Sequence, residues 1–322
     1  MTIQQAPKGR LALFPISIFS ITLGLGGWTI ATQKLAALWS FSPWMAAMPL
    51  VLDILIFVVL FLLYAAKVFI YREEVRHELN HPIKLNFFPT ISIGLILMSI
   101  AFLDLHSLLS RGLYAVGGVL HLSFTLYILR DWIVQEHYEI HHMNPAWFIP
   151  VVGNILIPIA GVAHGVQDLS WFFFSVGIVM WIVLFAIVTY RMILHHSLPD
   201  RLVPTLFILV APPAVGFIAY VKLTGTLDPF ARILYFFALF MILVLCTLFG
   251  KFRKIQFYLS WWAYSFPVAA ATIASMLMSR MTGSIVYSWL ASALWCLLSV
   301  LIMYLFFHTV LSITRKEVCV EE

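Results

Sequence analysis

The residues able to do chemistry are few and scattered. His137, His141 and His142 bring imidazoles together, and the first two stand four positions apart, a spacing that lets one helix face offer two nitrogens to a metal ion. No carboxylate or cysteine set completes the group on that side, so no metal site is assigned. His195 and His196 read as a solvated loop pair. Asp53 and His121 differ in kind, because each lies inside a long apolar run. An ionisable group at membrane depth is costly and often serves ion or proton coupling. A plain polar contact between helices is the other reading of both. No nucleophile is paired with a base, and no phosphate loop or cofactor motif occurs. Neither enzymatic activity nor a cofactor is expected.

The elements around these residues are built for lipid. The chain has 322 residues, of which 62% are hydrophobic and only 10% charged, whereas a soluble domain carries roughly 25% charged residues. Too few charges are present to cover a water-facing surface, so the lipid bilayer is the expected partner. The net charge of +5 is no sign of nucleic acid, since the basic residues sit in loops without forming a patch. The three cysteines, Cys246, Cys296 and Cys319, form no framework pattern and are expected as free thiols. A span takes about 20 mostly apolar residues. Ten such runs occur, at 12–31, 46–70, 87–105, 112–130, 145–165, 170–190, 202–221, 232–249, 257–279 and 284–309. The expectation is an all-α polytopic membrane protein with a single transmembrane domain over 1–322. Only about ten polar residues precede the first run and no cleavage site stands out, so that run reads as a span.

Basic residues set the orientation. With the N-terminus inside, the inner segments hold Lys8, Arg10, Lys67, Arg72, Arg76, Lys84, Arg130, Arg191, Arg201, Lys251, Arg253, Lys254, Arg315 and Lys316, against Lys34, Arg111, Lys222, Arg232 and Arg280 outside, a bias of 14 to 5. Both termini are then cytoplasmic. The run from Arg72 to Glu78 mixes signs at helical spacing and reads as a solvated extension of the second helix.

Proline divides the ten helices into two kinds. Pro15, Pro89, Pro145, Pro150, Pro158, Pro204, Pro212, Pro213 and Pro267 fall in odd-numbered spans, while even-numbered spans hold only Pro49, near a helix start. Proline inside a helix frees the carbonyl four residues back and bends the axis, which a bilayer tolerates only where protein or water satisfies the freed group. The odd helices should therefore be inner and kinked, at Pro158, Pro212, Pro213 and Pro267 among others, and the even ones outer and straight. Five hairpins with their inner helices side by side around one axis follow; an ordinary bundle with scattered prolines is the competing picture.

In the ninth span, Phe266 lies about nine residues, or roughly 14 Å, from the span's start, near the middle of a core about 30 Å thick. Its helical neighbours are small: Ala263, Ala269 and Ala270, with Ala274 a turn further and Ile273 on the same stretch. One ring in a small-residue stripe could close an open path, although such stripes also serve helix packing. Ser20, Thr22, Gly24, Asn154 and Gly216 are further candidates for the path's wall. No Lys, Arg, Asp or Glu lies in the middle of any inner helix.

Several segments carry a resemblance. The stretch from Trp261 to Pro267, WWAYSFP, resembles the matching helix of the plant slow-type anion channels of guard cells. The stretch YAAKVFIYREEVRHELNHPIK resembles bacterial TehA proteins, and NPAWFIPVVGNILIPIAG and APPAVGFIAY resemble the fifth and seventh helices of the same group. Together they point to the tellurite-resistance/dicarboxylate transporter family. The resemblance implies ten helices in five hairpins with quasi-five-fold arrangement around a central pore, assembly as a homotrimer, and a gating phenylalanine that falls on Phe266. It implies transport of small inorganic or organic anions, with a proton-coupled malate carrier or a tellurite-resistance transporter as alternatives, in the plasma membrane (a bacterial inner membrane). A scaffold that alters tellurite or drug sensitivity through other proteins is a third reading. The long tails of the plant members are missing from this sequence.

Overall fold

The computed structural model describes residues 9–319, and all regular structure among them is helical. Lys8, counted above on the inner side, lies outside the described residues. In chain order the α-helices are α1 (Ser20–Trp39), α2 (Ala47–Ile70), α3 (Arg72–Leu79), α4 (Pro89–Phe102), α5 (Ser107–Val134), α6 (Ile149–Val152), α7 (Ile157–Gly161), α8 (Gln167–Leu194), α9 (Ala211–Thr224), α10 (Pro229–Thr247), α11 (Phe249–Phe252), α12 (Ser265–Thr282) and α13 (Ile285–Thr314). Among the described residues, seven helical stretches are long and apolar enough to cross a membrane. Pro145–Gly161 is a shorter apolar helix, and α1 and α12, which carry more small and polar residues, are not among the seven.

Two kinds of element alternate along the chain. The odd-numbered stretches begin as 3-10 helix and continue as α: Ile16–Phe19 before α1, Lys84–Phe87 before α4, Pro145–Phe148 and Gly153–Leu156 around α6 and before α7, Asp200–Val210 before α9, and Leu259–Tyr264 before α12. The even-numbered ones, α2, α5, α8, α10 and α13, run without a 3-10 break inside the helix. Proline explains much of the difference. Pro89, Pro150, Pro158, Pro212 and Pro267 stand in the first turn of α4, α6, α7, α9 and α12. There a missing N–H costs nothing, because the first turn has no intrahelical acceptor for it. The proline thus restarts an α-helix at the end of a tighter 3-10 stretch. Asn154 shows the consequence: its carbonyl, expected to be freed by Pro158, accepts the Ile157 N–H across the 3-10 turn.

Burial follows the same alternation. Within their most apolar windows, the stretches Lys84–Phe102 and Asp200–Thr224 are 89% and 78% buried, whereas those holding α2, α5, α8, α10 and α13 are 28–33% buried. The exposed faces carry large apolar side chains such as Leu62, Val119, Val179, Leu243 and Val300, which is stable only against lipid or another apolar surface. The buried elements touch in a closed order: α1 meets α4, α4 meets α7, α7 meets α9, α9 meets α12, and α12 returns to α1. Each also packs on the exposed helix that follows it, α2, α5, α8, α10 or α13.

Two expectations are corrected here. Helix α1 extends to Trp39, well past residue 31, because hydropathy falls at Gln33 and Lys34 while the backbone ladder continues; Gln33 Nε2 donates to the Ala101 carbonyl at 2.9 Å. The acidic–basic run after the second helix is a separate helix, α3, and it is not wholly solvated. Glu78 is buried and lies 3.1 Å from Lys67 Nζ; it also accepts the Tyr64 hydroxyl at 2.7 Å and the Ile16 N–H at 3.3 Å, and Lys67 donates to the Phe14 carbonyl at 2.8 Å. This buried pair ties α2 and α3 to the segment that opens the first buried stretch.

Candidate functional site

A cavity of about 90 Å3 lies between the buried elements. All five contribute to its wall: Gly27, Ile30 and Lys34 from α1, Leu97 and Ile100 from α4, Leu156 and Ile159 from the Gly153–Leu156 turn and α7, Val215, Ile218 and Lys222 from α9, and Phe266, Ala270, Ile273, Met276, Leu277 and Arg280 from α12. No residue of α2, α5, α8, α10 or α13 is among them. The spacing on α12 (266, 270, 273, 277, 280) is that of one helix face. From Phe266 to Arg280 the face runs about 21 Å at 1.5 Å per residue.

The wall is aliphatic along its length and differs at its two ends. Phe266 stands at the end nearest the N-terminus of α12. A Cβ placed on Gly27 would lie 2.8 Å from the Ala269 Cβ and 3.4 Å from the Phe266 ring, so α1 comes this close only because residue 27 has no side chain. At the other end stand Lys34, Lys222 and Arg280. Along the chain these three are separate outer-loop cations. The available signal was their shared position near the C-terminal ends of three odd-numbered helices.

The wall candidates divide. Phe266, Ala270 and Ile273 line the cavity. Ser20 and Ala263, on the N-terminal side of Phe266, are half-buried and outside it. Ala269 faces Gly27, and Ala274 is buried in the core. Two candidates mark close packing: Gly24 lets α1 approach Ser265 and Trp262, and Thr22 faces Gly94 of α4 while its hydroxyl donates to the Phe19 carbonyl. Gly216 faces Ile178 and Leu234 at ordinary contact distance, away from the cavity. Asn154 points at α5, where its Nδ2 donates to Thr125 Oγ1 at 3.0 Å and to the Val151 carbonyl at 2.9 Å.

Asp53 and His121, the ionisable residues that the sequence places at mid-depth, are both buried. His121 Nδ1 lies 2.9 Å from Ser92 Oγ, and its ring covers Gly153, where any Cβ would collide with it. It acts as a polar contact between α4 and α5. Asp53 has no hydrogen-bond partner among the described residues on either carboxylate oxygen and rests against Gly26, the neighbour of cavity-lining Gly27. The histidine loop is dispersed onto local partners: His141 pairs with Glu139 at 3.1 Å, and His142 accepts the Glu139 N–H at 3.1 Å.

Helices with exposed apolar faces around an axial, mostly uncharged cavity define a multi-pass membrane protein of the channel or transporter class. The chain belongs to the voltage-dependent anion channel family, whose model matches residues 13–310. It is 30% identical over 279 residues to the S-type anion channel SLAH3 of Arabidopsis thaliana, covering 83% of this chain and 43% of that one. It is 28% identical over 271 residues to an uncharacterized transporter of Methanocaldococcus jannaschii (76% and 79% covered) and 26% identical over 258 residues to the tellurite resistance protein TehA homolog of Haemophilus influenzae (80% and 78% covered). The chain spans about half the length of the Arabidopsis relatives and close to four-fifths of the archaeal and Haemophilus ones.

Proposed function

We propose that the chain conducts small anions through the cavity between α1, α4, α7, α9 and α12, and that the Phe266 ring closes this path. The observation that carries the reading is the cavity itself, walled by all five buried elements and by none of the exposed ones. The arrangement is five hairpins in quasi-five-fold order about the pore, each pairing a buried helix with an exposed one. Family membership supports the anion as cargo, and the aliphatic wall supports a path without a charged binding site at its centre. Selectivity then follows from pore width and ease of dehydration. The protein sits in the plasma membrane with both termini cytoplasmic, so that Lys34, Lys222 and Arg280 face outward, and it assembles as a homotrimer in which each subunit keeps its own pore. Phe266→Ala should raise anion current at least several-fold in planar bilayers; a well-folded variant with no more current than the wild type removes the gate.

A second reading is a proton-coupled dicarboxylate carrier, favoured by Asp53, whose unpartnered carboxyl group lies one residue contact from the cavity wall. Asp53→Asn should then abolish malate uptake driven by a pH gradient in proteoliposomes. Uptake that follows the anion gradient alone, and survives the substitution, leaves the channel.

A further inference from the structure

Lys34, Lys222 and Arg280 come from three separate helices to one end of the cavity. Lys222 lies in the field of both other cations and of Asp104. Asp104 stands 3.5 Å from Lys34, but its side chain is 86% exposed, so water screens it and the cluster keeps an excess of positive charge. Helix polarity accounts for only part of this placement. Lys222 and Arg280 fall in the last turns of α9 and α12, where a cation offsets the carbonyl end of the helix. Lys34 stands before the last turn of α1, which holds no basic residue. Beyond the three cations, the remaining lining side chains down to Phe266 offer no hydrogen-bond donor.

We propose that this cluster is an anion-binding vestibule that sorts anions by valence, holding small divalent anions at the mouth, where they obstruct the passage of monovalent ones. The proposal rests on reading the cavity as a pore. Two dependences on charge produce the sorting. Attraction to the three cations grows in proportion to the anion's charge. The cost of stripping water from the anion in the aliphatic throat grows with the square of that charge, and no lining group below the mouth replaces the lost water. A dianion is therefore drawn more strongly to the mouth and excluded more strongly from the throat. A monovalent anion is concentrated at the mouth and passes on.

The test uses the full chain carrying Phe266→Ala in planar bilayers, with chloride as the permeant ion and sulfate as the probe. At about 20 mM ionic strength, where charges act over tens of ångströms, sulfate added to one chamber should inhibit chloride current and sulfate in the other should not. Adding K222Q and R280Q should weaken that inhibition about tenfold, and raising the salt to roughly 0.5 M should remove the difference. Equal inhibition from both sides, or inhibition unchanged by neutralisation, overturns the vestibule. A merely structural role for the cations would alter protein yield without producing one-sided block. If the Phe266→Ala protein passes no chloride, the pore reading fails. The vestibule is then read by equilibrium dialysis of labelled sulfate against purified protein. Binding lost in K34Q/K222Q/R280Q retains the site, and absence of binding, or binding indifferent to the substitutions, rejects it.

Discussion

Phe266 is the largest ring on the cavity-facing side of α12, and Gly27 is the residue that lets α1 close against it. Replacing Gly27 with Ala forces a methyl onto Ala269 and the Phe266 ring, so it should shift the current and the effect of Phe266→Ala together. A double-mutant cycle on anion flux measures the coupling, and strictly additive effects would show that the two residues act apart. Glu78 makes a separate residue-scale prediction. It is held by Lys67, Tyr64 and the Ile16 N–H, and removing one partner of a buried pair costs about 3–5 kcal/mol. Glu78→Ala should lower the melting temperature of the purified protein markedly, and Glu78→Gln, which keeps an acceptor for Tyr64, should lower it less. The sequence around Glu78 reads as a solvated charge run because its charges recur at helical spacing. Only the fold of α3 back onto α2 reveals that one of them is buried.

Among the elements, the odd-numbered stretches were legible through proline, though in altered form. The residues predict kinks inside continuous helices; the structure has 3-10 segments that hand over to α-helix at the proline. Composition marks where an N–H is missing, but which side of that point tightens depends on the carbonyls and neighbours available. The glycines separate along the same lines. A Cβ at Gly24 would collide with Ser265, whereas at Gly216 the nearest atoms are 3.5 Å away. Gly24→Ala should therefore destabilise the α1–α12 contact by about 1–3 kcal/mol, while Gly216→Ala should be neutral or gain up to about 1 kcal/mol in helix propensity. Thermal unfolding in detergent distinguishes them, and equal losses would contradict the contact.

At the scale of the molecule, burial alternates between adjacent helices, and the exposed set carries apolar faces around the closed order of buried ones. Val179 of α8 and Val300 of α13 are 58% and 61% exposed near the middle of their helices. An arginine at such a depth costs about 2.5–3.5 kcal/mol on insertion scales. Val179→Arg and Val300→Arg should each reduce the yield of monodisperse membrane-extracted protein, and unchanged yields would argue against lipid at those faces.

What the sequence determined by itself was the solvent and the elements. Hydropathy and length mark apolar stretches one at a time, and each can be read without knowing its neighbours. Proline placement separated the buried stretches from the exposed ones for a similarly local reason. Rotation of each helix about its axis, and its distance from the next, were decided by tertiary structure alone. They turn Asn154 toward Thr125, Gly216 toward α8 and α10, and Ala270 and Ile273 toward the cavity. They also bring Lys34, Lys222 and Arg280 to one mouth from positions 34, 222 and 280 of the chain. That convergence is a sum of many side-chain contacts between distant segments, which no single stretch of sequence contains.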